Sequence, residues 1–202
     1  MINLQINKNQ FSDLLNLING VFFPLKHFVN ESDFKNILYN RKINKSFFPM
    51  PIFFGVTKKD YNKINGLKYV KLFYKKKYLA LIKIQSIFKI KPDNFGKKLL
   101  GIKYKKHPYY KKFKKENFAF IDFKYVKLIK KNLKDKNFVS PLILKKKIRK
   151  NIAHCKFFAS FHTRNVPHMA HQWAHKFMIN KYNKLLIQPL IGQYKKNEYS
   201  DK

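Results

Sequence analysis

The sequence predicts a mixed α/β protein: a β-rich N-terminal domain over residues 1–139, followed over 140–202 by the opening βαβ part of a second, incomplete domain. Three observations predict it. Between Phe47 and Ile90 the chain runs in short, partly alternating segments rich in β-branched and aromatic residues, as half-buried strands do. Near Ser140–Pro141 that pattern ends. From Cys155 onward two short apolar runs flank a helix-like stretch, and strand, loop, helix, strand is the opening of a doubly wound domain.

Residues 11–34, FSDLLNLINGVFFPLKHFVNESDF, read as a helical turn or two, a loop at Gly20, and a helix starting near Asn30 with Asn30 or Ser32 as its cap. FFPMPIFFGV (47–56), GLKYVKLFY (66–74) and KYLALIKIQSIFKI (77–90) read as strands, with Lys75–Lys77 as a hairpin turn. Residues 91–135 are Lys-rich, broken by Pro92, Gly96, Gly101 and Pro108, and read as irregular. SPLILKKKIRKNI (140–152) opens on a Ser-Pro pair that suits a helix start. CKFFASF (155–161) reads as a buried strand, HTRNVPH (162–168) as a loop and MAHQWAHKFMINKY (169–182) as a helix. KLLIQPLIG (184–192) is a second buried strand ending in a turn. Trp173 and Phe177, four apart, are expected to face the core.

Composition narrows the class. At 202 residues and 45% hydrophobic, the chain is long and apolar enough to bury a core. One cysteine, Cys155, rules out an internal disulfide framework and a multi-Cys zinc site, and fits a reducing compartment. No apolar run reaches the roughly 20 residues that span a bilayer, and the N-terminus lacks a signal layout, so a cytoplasmic protein without a membrane partner is expected. The formal charge of +35 invites a nucleic-acid reading. Against it, 42 of the basic residues are Lys and only Arg41, Arg149 and Arg164 are Arg, whereas bidentate readers of phosphate and base edges lean on Arg. The Lys excess accompanies an excess of Phe, Tyr, Asn and Ile, all with AT-rich codons, so a compositional drift accounts for both. A basic nucleic-acid-binding protein is the weaker alternative.

The chemistry concentrates in FHTRNVPHMAH (161–171), which sets Arg164, Asn165 and three histidines, His162, His168 and His171, between a strand and a helix. A helix N-terminus presents free N–H groups and partial positive charge, a natural seat for a phosphate. His168 and His171, three apart, share one face there and are placed to stabilise charge developing on a polyphosphate. Arg164 supplies a planar fork for a tetrahedral oxyanion. From Lys136 through Asn197 there is no Asp or Glu, as a site for two anions requires. His168, His171 and His175 also have the spacing of a metal site, but no carboxylate or second cysteine lies near to complete one.

This run resembles the ATP-sulfurylase signature F-Q-T-R-N-P-x-H-x-x-H at the same spacing, with His162 in place of Gln. Four further segments are similar to family stretches in the same order: LINGVFFPLKHFVNESDF (17–34), FFPMPIFFGV, LLGIKYKKHP (99–108) and LLIQPLIGQYKKNEYSD (185–201). In the last of these Gln188 stands where His is usual, and in the third the family's Thr and Asp are absent. The resemblance implies a PUA-like N-terminal domain and a Rossmann-like nucleotidyltransferase domain. It also implies the reaction of ATP, entering with Mg²⁺, and sulfate to adenylyl sulfate and pyrophosphate. It assigns His162 and Arg164 to sulfate, Asn165 to the nucleotide, and His168 and His171 to the ATP phosphates. In the family, the stretch resembled by 185–201 precedes the rest of the catalytic domain. The 202 residues alone are therefore expected to show little or no activity, with a second chain supplying the remainder, or a homo-oligomer as the other possible partner. A non-catalytic remnant that keeps the fold is the competing expectation.

Overall fold

A computed structural model describes residues 1–133, 139–152 and 157–189, in two compact units, Met1–Asp135 and Lys136–Lys202. The start of the strand expected at 155–161 and the turn expected at 190–192 lie outside the described residues.

The first unit begins with β1 (Ile2–Gln5) and α1 (Lys8–Ile18). α1 is longer than the turn or two expected, because Asn7 and Gln10 form a reciprocal cap: each side-chain oxygen accepts the other residue's backbone N–H at 2.9 Å. α2 (Glu31–Asn40) starts at Asn30, whose side chain accepts from the Asp33 N–H at 2.8 Å, so Asn30 rather than Ser32 is the cap. A short hairpin of β2 (Lys42–Ile43) and β3 (Ser46–Phe47) comes next, then β4 (Gly55–Val56) and α3 (Lys58–Ile64), capped by Thr57. The segment 47–56 is therefore strand only at its ends. Pro49 and Pro51 lack the N–H that a paired interior strand must donate.

β5 (Tyr69–Tyr74) and β6 (Lys77–Phe88) form the expected hairpin, and the turn is narrower than expected. Only Lys75 and Lys76 lie outside the strands, both left-handed, with φ of 46° and 63°. The region expected to be irregular is ordered: α4 (Pro92–Leu100), a 3₁₀ turn at Tyr104–Lys106, α5 (Pro108–Glu116) and β7 (Ala119–Leu128). Pro92 and Pro108 open these helices rather than break the chain, since the first helical position needs no N–H. The sheet runs β1-β5-β6-β7-β4, with β1 parallel to β5 and the other pairs antiparallel.

The abundance of Phe leaves its mark on this unit's core. Phe28, Phe34, Phe54, Phe95 and Phe120 are fully buried. Phe34 meets Phe53, Phe88, Phe95 and Phe120 at centroid distances of 5.2–6.1 Å, and Phe95 stacks on Phe113 at 3.7 Å. Outside the core, lysines lie over aromatic faces: Lys89 Nζ is 4.3 Å from the Phe118 ring and 5.2 Å from Tyr61. Among the described residues two ion pairs form, Lys35–Glu31 and Lys63–Asp60.

The second unit contains α6 (Pro141–Ile152), β8 (Ala159–Thr163), α7 (Met169–Tyr182) and β9 (Leu185–Pro189). β8 and β9 pair in parallel from Ala159↔Leu185 to Thr163↔Pro189, with α7 as the crossover. The expected burial of these strands does not hold, for both are half-exposed, as is the approach to β8, where Phe157 is 67% exposed. The expectation that Trp173 and Phe177 face a core fails as well: they are 70% and 53% exposed and stack on each other at 5.8 Å. The side of α7 that packs on the strands carries His171 and His175 against Phe161 instead. No described helix is long and apolar enough to cross a membrane.

Candidate oxyanion and nucleotide site

Thr163 ends β8 and sets the path of the loop beyond it. At 7% exposure it is the buried polar side chain among the described residues. Its hydroxyl donates to the Asn165 carbonyl and accepts the Asn165 N–H, both at 3.1 Å. This clasp turns the chain out of the sheet and leaves the Arg164 and Asn165 side chains exposed beyond the carboxyl end of the strand. Residue type and spacing do not single out Thr163. The one signal it carries is that of a Thr two residues before an Asn at a strand-to-helix turn.

His168 caps α7, and no acidic residue occupies the helix's first turn. The His168 backbone N–H donates to His171 Nδ1 at 3.4 Å, and the two imidazole rings lie 4.0 Å apart. With Nδ1 accepting, neutral His171 carries its proton on Nε2 and presents a donor there. The ring is held edge-on against Phe161 at 5.3 Å. His175 packs on the same Phe161 ring at 4.5 Å, and its Nε2 is buried without a hydrogen-bond partner. Ligand clefts commonly enclose about 300–1,000 Å³. The hollow beside this helix, ≈ 610 Å³, lies in that range, and its lining includes Pro167, His168, Gln172, His175, Lys176 and Ile179. Gln172, His175 and Lys176 thus join His168 at a hollow that the sequence did not reveal.

The structure gathers Arg164, Asn165, His168 and His171 on one loop and the helix start it feeds. His162 is separated from the two helix histidines by the sheet. Phe161 faces α7, so His162, its neighbour on the strand, points to the opposite face. There its register partner is Gln188.

The first unit has a cavity of its own, ≈ 420 Å³, with an apolar floor that includes Phe53 and Phe54. Its wall carries Asp13, Asp60 and Glu116. Burial pushes the Asp13 carboxyl up to about 6, and Tyr109 beside it is raised by burial and by the carboxylates Asp13 and Glu116. Lys112 shares this wall with the three carboxylates.

Known proteins match both units. Residues 1–121 match the family model of a PUA-like domain, and residues 136–202 match that of ATP-sulfurylase. The sulfate adenylyltransferase of Pyrococcus abyssi is 25% identical over 205 residues, covering 98% of this chain and 52% of that protein. The sulfate adenylyltransferase of Ignicoccus hospitalis is also 25% identical over 205 residues, covering 100% of this chain and 53% of the relative. The chain therefore spans about half the length of the curated relatives it matches. Among solved structures, the hexameric APS kinase from Thiobacillus denitrificans shares the fold, with a TM-score of 0.65 at 14% identity, over 98% of this chain and 36% of that one. The second unit, in which a threonine clasp leads an Arg-Asn pair towards a His-capped helix, matches ATP-sulfurylase over residues 136–202, and over residues 1–121 the chain belongs to the PUA-like domain family.

Proposed function

We propose that this chain holds the sulfate and the triphosphate of a sulfate adenylyltransferase reaction. In that reaction a sulfate oxygen attacks the α-phosphorus of ATP in line, and pyrophosphate leaves with the electrons of the broken P–O bond. Sulfate is already a dianion at neutral pH, so its attacking oxygen carries no proton and no general base is required. The protein's work is positioning and charge stabilisation.

The observation that carries this reading is the clasped loop at the start of α7. The Arg164 fork meets two sulfate oxygens, with His162 on the same strand end as a further donor. The Asn165 amide contacts the nucleotide, and His168, the His171 Nε2–H and the free N–H groups of the first turn of α7 take the departing phosphates. Two polyanions approach each other here because the unit's described residues include no Asp or Glu.

Magnesium enters as part of the substrate. It takes hard oxygen ligands, and this unit offers imidazole, amide and hydroxyl groups without a carboxylate among its described residues, so the ion belongs on the nucleotide's phosphate oxygens.

The exposed Trp173–Phe177 stack and a described sheet of only two strands, β8 and β9, support a second chain or another copy completing this unit. The test is molybdate-dependent pyrophosphate release from Mg-ATP, with R164A beside the wild type. Little or no release from the chain alone, and release that R164A abolishes once the C-terminal half of the Pyrococcus abyssi relative is added, is the expected result. Release that R164A leaves intact refutes the sulfate assignment. A folded chain that is silent alone and active with the C-terminal half of the Pyrococcus abyssi relative would put the remaining contacts on a second polypeptide.

A further inference from the structure

We infer that Gln188 is a further oxyanion-binding residue, its amide aimed by Ser160 and paired with His162 at the carboxyl ends of β8 and β9. The inference rests on the sulfate reading of Arg164 and deepens it. Side chains two apart on a strand share a face, so Ser160 and His162 lie together on the sheet face opposite α7. Parallel register partners share a face too, which places Gln188 beside His162, about 4.8 Å away across the strands. A side-chain bond confirms the facing: the Ser160 hydroxyl donates to Gln188 Oε1 at 3.1 Å.

That bond determines the amide's chemistry. With its oxygen accepting from Ser160, the Gln188 side chain turns its NH₂ group away from Ser160 and presents two N–H donors there. Gln188 is half-buried while Ser160 and His162 are exposed, so the amide stands in a partly desolvated place where a hydrogen bond to an anion counts for more than in water. His162 is followed by the buried clasp of Thr163 and then by Arg164, so the same strand end carries the imidazole and leads into the guanidinium. Gln188, His162 and Arg164 each carry N–H donors, the chemistry suited to a small tetrahedral dianion. Gln188 is the substrate-binding residue, and Ser160 is a positioning residue acting through it.

The experiment titrates the full chain with inorganic sulfate and, in a separate arm, with AMP, by calorimetry. The two arms separate free sulfate from the phosphate of a nucleotide. Q188E keeps an oxygen for the Ser160 hydroxyl but replaces the donors with negative charge. It is expected to weaken sulfate binding about ten- to hundredfold while AMP affinity and the melting temperature stay as in the wild type. S160A should weaken sulfate several-fold, and S160T, which restores the hydroxyl, should recover it. Wild-type sulfate affinity in Q188E, with R164A still defective, overturns this inference and leaves the sulfate reading standing. A wild-type chain that binds no sulfate overturns both. Equal loss of sulfate and AMP in Q188E marks a structural role and also overturns it. Should Q188E fail to fold, S160A and S160T decide, and equal sulfate affinity in the two refutes the positioning.

Discussion

Replacing Thr163 with valine removes one hydroxyl and keeps the side chain's shape, so it isolates the clasp on which the loop depends. The hydroxyl makes two hydrogen bonds to the Asn165 backbone, both at 3.1 Å, from a side chain only 7% exposed. Each bond is worth about 1 kcal/mol net, and a buried backbone group left without a partner costs about 1–3 kcal/mol. The expected loss in T163V is about 2–3 kcal/mol, borne by the second unit alone. For a unit of this size that lowers its melting temperature by roughly 10–20 °C. The control is T163S, which keeps the hydroxyl and gives up one methyl, worth about 0.8 kcal/mol. Calorimetric melting of both variants, with a sulfate titration of each, provides the assay. T163V should bind sulfate about tenfold more weakly, because Arg164 and Asn165 are no longer held at the strand end, and T163S should bind like the wild type. A loss in T163S as large as that in T163V would show that the hydroxyl contributes no more than the methyl. An unchanged T163V would refute the clasp altogether.

The first unit offers two further tests. Burial raises the Asp13 carboxyl from 3.8 to about 6 in the fold, so the folded chain holds a proton there that the unfolded chain releases between those values. Stability from this group is therefore present below about pH 4 and is lost as pH rises through 6. D13N should stabilise the protein at pH 7.5 by about 1–2 kcal/mol, a figure reduced for partial solvent screening; the gain should vanish at pH 4, as denaturant melts at the two pH values would show. The Lys75–Lys76 turn holds two side-chain-bearing residues left-handed, at φ 46° and 63°, where Asn-Gly is the favoured pair. The double variant K75N/K76G should raise stability by about 1–2 kcal/mol, read from the same denaturant melts. A fall would mean that the lysine stems contribute contacts outweighing the backbone strain.

What could be read in the sequence was what is local. The β5–β6 hairpin, the Asn30 cap and the extent of α7 come from periodicity and capping within a few residues. α4 and α5 were hidden because a proline with lysines after it reads as a break until its place at the first helical position is known. β7 carries a strand-like run, AFIDFKYVKL, but lies inside a stretch whose lysines masked it. At the site, the loop's residue types were legible, but its geometry was not. That Thr163 grips Asn165 depends on backbone path, and that Gln188 stands beside His162 depends on register between strands more than twenty residues apart. Periodicity located one face of α7 with Trp173 and Phe177, but it could not say which face the strands would cover.

With 45 basic residues against 10 acidic ones, and two ion pairs among the described residues, most of the charge on this protein has no opposite charge to meet. The Lys89 ammonium resting between Tyr61 and Phe118 shows where some of it goes, onto the electron-rich faces of the chain's many aromatic rings. A cation over a ring gains attraction without cancelling its charge, so the repulsion between neighbouring lysines persists at full strength. Dissolved anions then take over the part that carboxylates play in other proteins. Ionic strength becomes an ingredient of the fold: salt that loosens an ordinary ion-paired surface tightens this one, and dilution into pure water strains it.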